Sequence, residues 1–348
     1  MGTLLYRKHP AAMAAAYADL ENQALNQGPA ILGTAGSISI RENATGTRFF
    51  VRQYRDHEGR KRDQYIGGPV GSPAAEKSAE EWRLRLQEAR DTLEHVRLLA
   101  REGYCLLPPK HFAAVAALSN HGIFQAGGVL VGTHAFEVIA NRLGIRVSAF
   151  PTEDVDLARP GKLALENAPD TNLLEMLRTS GIDFVTVPPL GRKQPSTSYK
   201  ERGRSRFTID LLVPAAGDEI GTKPVPEMGA SATALPYLKY LLGEFQTGAV
   251  LSTHGVASVR VPVAERFALH KMIVAQLRSG RPEKSAKDLR QAAALIAALG
   301  EIQPGALSSA FAATPKSRRN DVRKSLRSIG KDLEAHPQSW EEISSAAG

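Results

Sequence analysis

The apolar positions of the chain switch between a period of two and a period of three to four, and the switches mark its elements. Val129, Leu130 and Val131 form a short apolar strand, and Gly132-Thr133 is the turn out of it. Phe136, Ile139, Ala140 and Leu143 then recur at i, i+3, i+4 and i+7, one face of a helix, with Gly144 placed to stop it. Ile145 to Ala149 reads as a second strand, and a third extended segment carries Asp154 and Asp156. Strand side chains alternate, so these two carboxylates share one side. Much later, Arg206 to Val213 is another strand with a single carboxylate, Asp210, inside an otherwise apolar run.

The flanking patterns are different. Pro10 to Gln27 reads as an Ala-rich helix stopped at Gly28-Pro29. Ser37 to Gly68 has the alternation of a small antiparallel meander, with strands at Ser37–Arg41, Thr47–Tyr54 and Lys61–Ile66. Asn43-Ala44-Thr45-Gly46 and Asp56-His57-Glu58-Gly59 supply its turn chemistry. After a Gly/Pro linker, Ser72 to Arg101 predicts a long charged helix, opened by Pro73 and closed near Gly103. Trp82, Leu84, Leu86, Ala89, Leu93, Val96 and Leu99 form its apolar stripe.

His111 to Ser119 is a further helix, followed beyond the Asp pair by a helix around Leu173 to Ser180 and a strand around Phe184 to Val187. Leu190 to Arg206 reads as a mobile basic loop, Pro214 to Met228 as another loop, and Ala249 to Pro262 as two short strands. From Pro262 the pattern is helical. Residues 1–105 are thus read as an N-terminal helix-and-sheet module, 106–262 as the core, and 263–348 as a helical region.

Three acids at convergent strand positions have a physical use. Buried like charges this close repel unless cations neutralise them, and an all-oxygen ligand set suits Mg²⁺ or Mn²⁺. A turn at a helix N-terminus that ends in a hydroxyl is an anion site. Phosphate beside paired metals points to in-line phosphoryl or nucleotidyl transfer. Ordinary turn glycines and a turn-starting Asp154 are the plain alternative. An apolar strand carrying Asp210 is harder to place that way, because a carboxylate there needs a partner.

Gly-Gly-x-x-x-Gly-Thr at 127–133, Asp-Val-Asp at 154–156 and the distant strand Asp210 together resemble the DNA polymerase beta-like nucleotidyltransferase superfamily. The form Thr-x-Asp-Val-Asp-Leu at 152–157 is most similar to bacterial minimal and abortive-infection toxin-type enzymes. The resemblance implies a mixed α/β (α+β) sheet core. It also implies that Asp154 and Asp156 hold both metals, that Asp210 completes the catalytic metal site, and that Gly132-Thr133 contacts the triphosphate. The interval from Thr133 to Asp154 is longer than in many members, which implies an added turn or longer strand. In the toxin enzymes a helical Lys precedes a Lys-Asp segment, matched here by Lys271, Lys287 and Asp288. Lys271 would neutralise triphosphate charge, and Lys287 or Asp288 would orient it. Gln291 and Ala292 stand where a further acid is expected.

Composition narrows the partners. A formal charge of +8 favours polyanions. In the meander, Arg41, Arg48, Arg52, Arg55, Arg60, Lys61 and Arg62 interleave with Phe50, Tyr54 and Tyr65, side chains that an RNA contact uses and that a solvated sheet face also displays. The segment 190–206 and the tail from Pro315 to Lys331 are basic as well. An NTP substrate and an RNA acceptor, most simply a tRNA, are expected. A protein hydroxyl in a toxin–antitoxin setting, or a silent nucleotide- or RNA-binding module, is the alternative. Cys105, the only cysteine, sits among apolar neighbours and excludes an intrachain disulfide or a thiolate cluster. His111, His121 and His134 share no metal-ligand spacing, although His134 adjoins the phosphate turn. No run approaches a membrane span, and Tyr6-Arg7-Lys8-His9-Pro10 interrupts any signal core, so a cytoplasmic enzyme is expected.

Overall fold

A computed structural model describes residues 4–165, 172–189, 194–278 and 280–348. In chain order it gives β1 (Arg7–Lys8), α1 (Ala11–Asn26), β2 (Ser37–Glu42), β3 (Arg48–Arg55), β4 (Lys61–Gly67), α2 (Pro73–Glu102), α3 (Pro109–Asn120), β5 (Val129–Val131), α4 (Gly132–Arg142) and β6 (Ile145–Arg146). Next come β7 (Asp154–Ala158), α5 (Leu173–Arg178), β8 (Phe184–Thr186), β9 (Ser198–Glu201), β10 (Thr208–Pro214), β11 (Gly221–Val225), β12 (Ala230–Leu235) and α6 (Leu238–Leu241). The chain finishes with β13 (Phe245–Ser252), β14 (Gly255–Pro262), α7 (Ala264–Leu277), α8 (Pro282–Ile302), α9 (Ala306–Ala313), α10 (Arg319–Ile329) and α11 (Pro337–Ala347).

The central sheet is mixed. Its path runs β11-β12-β10-β7-β5, and β9 adds to the first half of β10 while also pairing with β8. β7 and β10 lie parallel, which sets Asp156 directly beside Asp210 and Asp154 beside Thr208. β5 runs antiparallel to β7, with Val131 opposite Asp156. Val155, Leu157, Ile209, Leu211 and Val213 are buried on the other face. That apolar face and the C-terminal helices share one continuous core, from Val129 through Phe267 and Leu295 to Ile343. The α+β class read from the sequence is the class observed.

Local chemistry fixes the ends of the helices. The Ser72 side chain accepts from the Ala75 N–H, Pro73 takes the first helical position of α2, and Gly103 ends the helix at φ 89°. Leu86, Leu93, Val96 and Leu99 of its stripe are buried, whereas Leu84 is exposed at 61% and does not belong to the packed face.

Three expectations need correction. Ile145 to Ala149 is not a second strand of the central sheet; only Ile145–Arg146 is extended, and it pairs with Arg7–Lys8 as a separate ribbon. The long Thr133–Asp154 interval is thereby used to reach the N-terminal segment. Pro214 to Met228 is not all loop, because Gly221–Val225 forms the sheet edge against β12. That strand carries Pro224 and is largely exposed, the usual disguise of an edge strand. Within 190–206, Ser198–Glu201 is a strand clasped between β8 and β10; Arg192 and Lys193 lie outside the described residues.

The meander is as expected, but its arginines do different work. Arg52 is 2% exposed. Its guanidinium donates to the carbonyls of Ala35 and Leu32 at 3.0 Å, to the Thr34 carbonyl, and to Gln64, and it lies over the Tyr54 ring. Arg41 pairs with Asp63, and Arg60 and Arg62 converge on the buried Asp56. Arg52 is thus an internal anchor of the sheet, whereas Arg41, Arg60 and Arg62 are paired but still half-exposed. Arg52→Ala should therefore lower unfolding free energy by about 2–4 kcal/mol, since several carbonyls lose their donor. The exposed Arg48→Ala should stay within about 0.5 kcal/mol. Urea unfolding checks this, and equal midpoints for the two variants would remove Arg52 as an anchor.

Candidate active site

The site begins with strand alternation. Asp154 and Asp156 point to the same side of β7, and the parallel register puts Asp210 on that side of the neighbouring strand. One carboxylate oxygen from each lies within 4.8 Å of the others, and all three side chains are half-buried. The three acids named from the sequence are therefore one cluster.

β5 then turns into α4 at Gly132, whose φ is +70°. A Cβ at this position would overlap Oδ2 of Asp156, so only glycine lets the turn lie against the carboxylate. Thr133 follows, buried, within the first turn of α4. Gly132-Thr133 and the acids thus adjoin one another as expected.

Burial and crowding split the acids electrostatically. Burial, the Asp154 charge and the Asp210 charge push the Asp156 carboxyl up to about 7, against the pull of Lys271 and His134. Asp210 is also raised, chiefly by burial, although the Ser198 hydroxyl bonds it. Burial works on Asp154 in the same sense. There the Thr152 hydroxyl bond and the charges of Lys284 and Lys287 outweigh it and hold the carboxyl below the ordinary range. Side chains alone do not neutralise the cluster. An all-oxygen set with a proton-hungry middle member fits a hard divalent cation.

α8 delivers the counter-charges. Lys287 donates to the Pro151 carbonyl at 2.9 Å, just before β7. Lys284, one helical turn earlier, acts on both Asp154 and Asp210 and was not singled out from the sequence. Its three-residue spacing from Lys287 was the available signal. Lys271 and Asp288 lie where α7 and α8 pack on each other. They form a buried pair at 2.7 Å between α7 and α8, and Arg278 closes on the second Asp288 oxygen at 3.0 Å. Asp288 is 2% exposed and holds Lys271 in place, while the Lys271 charge is still felt at Asp156.

A buried relay also escaped sequence reading. His134 bridges His111 and Glu137, at 2.8 Å on each side. His111 stacks on Phe207 at 4.5 Å between ring centroids, ahead of β10. Burial and the neighbouring His134 hold His111 down to about 4, so its imidazole is neutral. The relay ties α3, α4 and the approach to β10 together behind the acids. The i, i+3 spacing of His134 and Glu137 could have flagged half of it; the His111 contact is tertiary. Burial raises the Cys105 thiol to about 12, which fits its reading as a packing residue.

A pH dependence follows. The folded pKa of Asp156 lies above its unfolded value, so in the absence of divalent cation the folded state binds this proton more tightly. The resulting stability is present below about 4 and is lost as pH rises through about 7. In chelator, melting temperature should fall across this window for wild type and stay flatter for Asp156→Asn. Parallel curves for the two proteins would contradict the assignment.

Comparison with known proteins identifies the frame around these acids. A family model described as nucleotidyltransferase matches residues 110–315, more than half of the chain, and spans every site residue named above. No curated protein matches. A solved structure of an antigenic nucleotidyltransferase-like protein from Paracoccidioides brasiliensis is similar at 19% identity and a TM-score of 0.32. The likeness covers 63% of this chain and 91% of that one, and it is too loose to carry an argument. The family match alone decides the point: this chain belongs to the nucleotidyltransferase family.

Proposed function

We propose that the chain transfers an NMP group from an NTP to an acceptor hydroxyl, with Asp154, Asp156 and Asp210 at the reacting centre. The observation that carries this reading is the packing of three carboxylates from two parallel strands against the glycine turn at the α4 N-terminus. Asp154 and Asp156 would hold Mg²⁺ or Mn²⁺, with Asp210 sharing the catalytic ion. Bound there, such ions supply charge balance on the attacking and leaving oxygens.

The chain's own groups do the rest. The Gly132-Thr133 turn faces the triphosphate with backbone N–H groups and a hydroxyl. Lys284 and Lys287 offset its negative charge, with Lys271 acting from behind, held by Asp288. Asp210, raised by burial, takes the proton of the acceptor hydroxyl. The acceptor oxygen bonds to the α-phosphorus as the bond to the β-phosphate bridging oxygen breaks, and pyrophosphate leaves with that electron pair.

For the acceptor we favour RNA, tRNA most simply. Exposed Arg48 and Lys61 on the meander and Lys324, Arg327 and Lys331 near the tail support it. The pairing of Arg41, Arg60 and Arg62 within the sheet reduces the free basic surface and keeps a protein hydroxyl, as in an AMP-transferring toxin, as the second reading. No helix among the described residues is long and apolar enough to cross a membrane.

Incubating the protein with each labelled NTP, total RNA and lysate protein should place label on one acceptor class. Asp210→Asn keeps shape but removes the base, so transfer should fall at least ~10²-fold. Mg-NTP binding, measured by calorimetry, should largely remain. Label transfer by Asp210→Asn at the wild-type rate would make Asp210 structural.

A further inference from the structure

A second cluster of potential ligands lies away from the Asp site, where the N-terminal meander meets the central sheet. The β3–β4 turn is built on Asp56, whose carboxylate accepts from the N–H groups of Glu58 and Arg60 and from both arginine Nε atoms, each at 3.0 Å. That network fixes the turn, with the next two residues being a half-buried His57 and an exposed Glu58. Across the junction, Glu201 ends β9, where it is paired to Phe184 of β8. One imidazole nitrogen of His57 and one carboxylate oxygen each from Glu58 and Glu201 lie within 4.8 Å of one another.

His57 supplies a second, independent observation. Both of its ring nitrogens are sealed from solvent, and neither has a hydrogen-bond partner among the described residues. A buried imidazole normally satisfies at least one of them, because leaving a polar atom unmet costs about 1–3 kcal/mol. Without a metal the two carboxylates are occupied by cations: Lys110 sits 2.8 Å from Glu201, and Arg60 sits 2.6 Å from Glu58. Each carboxylate thus has a cation beside it, while the imidazole alone has no partner among the described residues.

We propose that His57, Glu58 and Glu201 form a Zn²⁺ site that clasps the meander turn to β9. One imidazole nitrogen with two carboxylate oxygens is a mixed N/O set, which favours Zn²⁺ over the Mg²⁺ suited to the all-oxygen Asp cluster. Three protein ligands leave a fourth position for water. Lys110 competes for Glu201 and Arg60 for Glu58, so a bound ion displaces both cations from the oxygens it takes. The site is independent of the nucleotidyl-transfer reading, and each can fail without the other.

The test uses the full chain. Zinc retained after dialysis, counted by elemental analysis, should fall by one equivalent in His57→Ala and in the milder Glu58→Gln relative to wild type. In an Asp154→Ala/Asp156→Ala background, calorimetric titration should still show Zn²⁺ binding, weakened at least ~10-fold by His57→Ala. Lys110→Met should tighten it, because the competing cation is gone. Excess Mg²⁺ should not displace the ion. Zinc content unchanged in both His57→Ala and Glu58→Gln, or no Zn²⁺ binding once the Asp pair is removed, would overturn the proposal.

Discussion

Mutual repulsion among Asp154, Asp156 and Asp210 is the constraint around which the structure is arranged. Parallel pairing of β7 and β10 brings two of these carboxylates side by side and the third within one strand step. Such an arrangement costs folding free energy unless opposite charge is placed nearby. The chain answers with Lys284 and Lys287 at one side, a Lys271 charge held behind, and hydroxyls from Thr152 and Ser198. Even so, Asp156 keeps its proton up to about 7. That residual imbalance is the physical basis of the cation site proposed for the cluster.

The elements outside the sheet can be understood as supports for that centre. α7 and α8 pack closely on each other and bury the Lys271–Asp288–Arg278 group, so that one lysine is fixed without lying in solvent. Among the described residues, the Asp288 carboxylate pairs with Lys271 and Arg278. On the opposite side, the His111–His134–Glu137 relay pins the start of α4, and with it the glycine turn, to α3. Gly132 is the point at which these demands meet, since any side chain there would drive the turn off Asp156.

The basic character of the chain divides into two populations with different physics. Arg52 and Arg318 are taken up by carbonyls, carboxylates and aromatic rings within the fold, and Arg60 and Arg62 share the buried Asp56 while staying half-exposed. Arg48, Lys61, Lys324 and Arg327 remain at the surface, where a polyanion could meet them. Net charge alone does not separate the two groups. Burying an arginine costs desolvation that is recovered only through several well-aligned acceptors, and Arg52 has them.

The sequence by itself determined the alternating strands around the acids, the glycine at the strand-to-helix turn, the capped long helix and the three-stranded meander. Those features are local: side-chain period, turn chemistry and helix caps are written within a few residues of where they act. Tertiary structure decided what sits opposite what. The edge strand Gly221–Val225 has no apolar alternation, because all of it but Val225 is exposed and only its pairing with β12 makes it a strand. Ile145–Arg146 became a ribbon with Arg7–Lys8 because its partner lies more than a hundred residues away. Much shorter separations, 23 residues for the His111–His134 contact and 17 for both the Lys271–Asp288 pair and the Arg52–Ala35 bond, were enough to hide those contacts as well. Where a cation meets an acid on another element, as Lys271 and Arg278 meet Asp288, packing between elements decides it and spacing within one segment does not encode it.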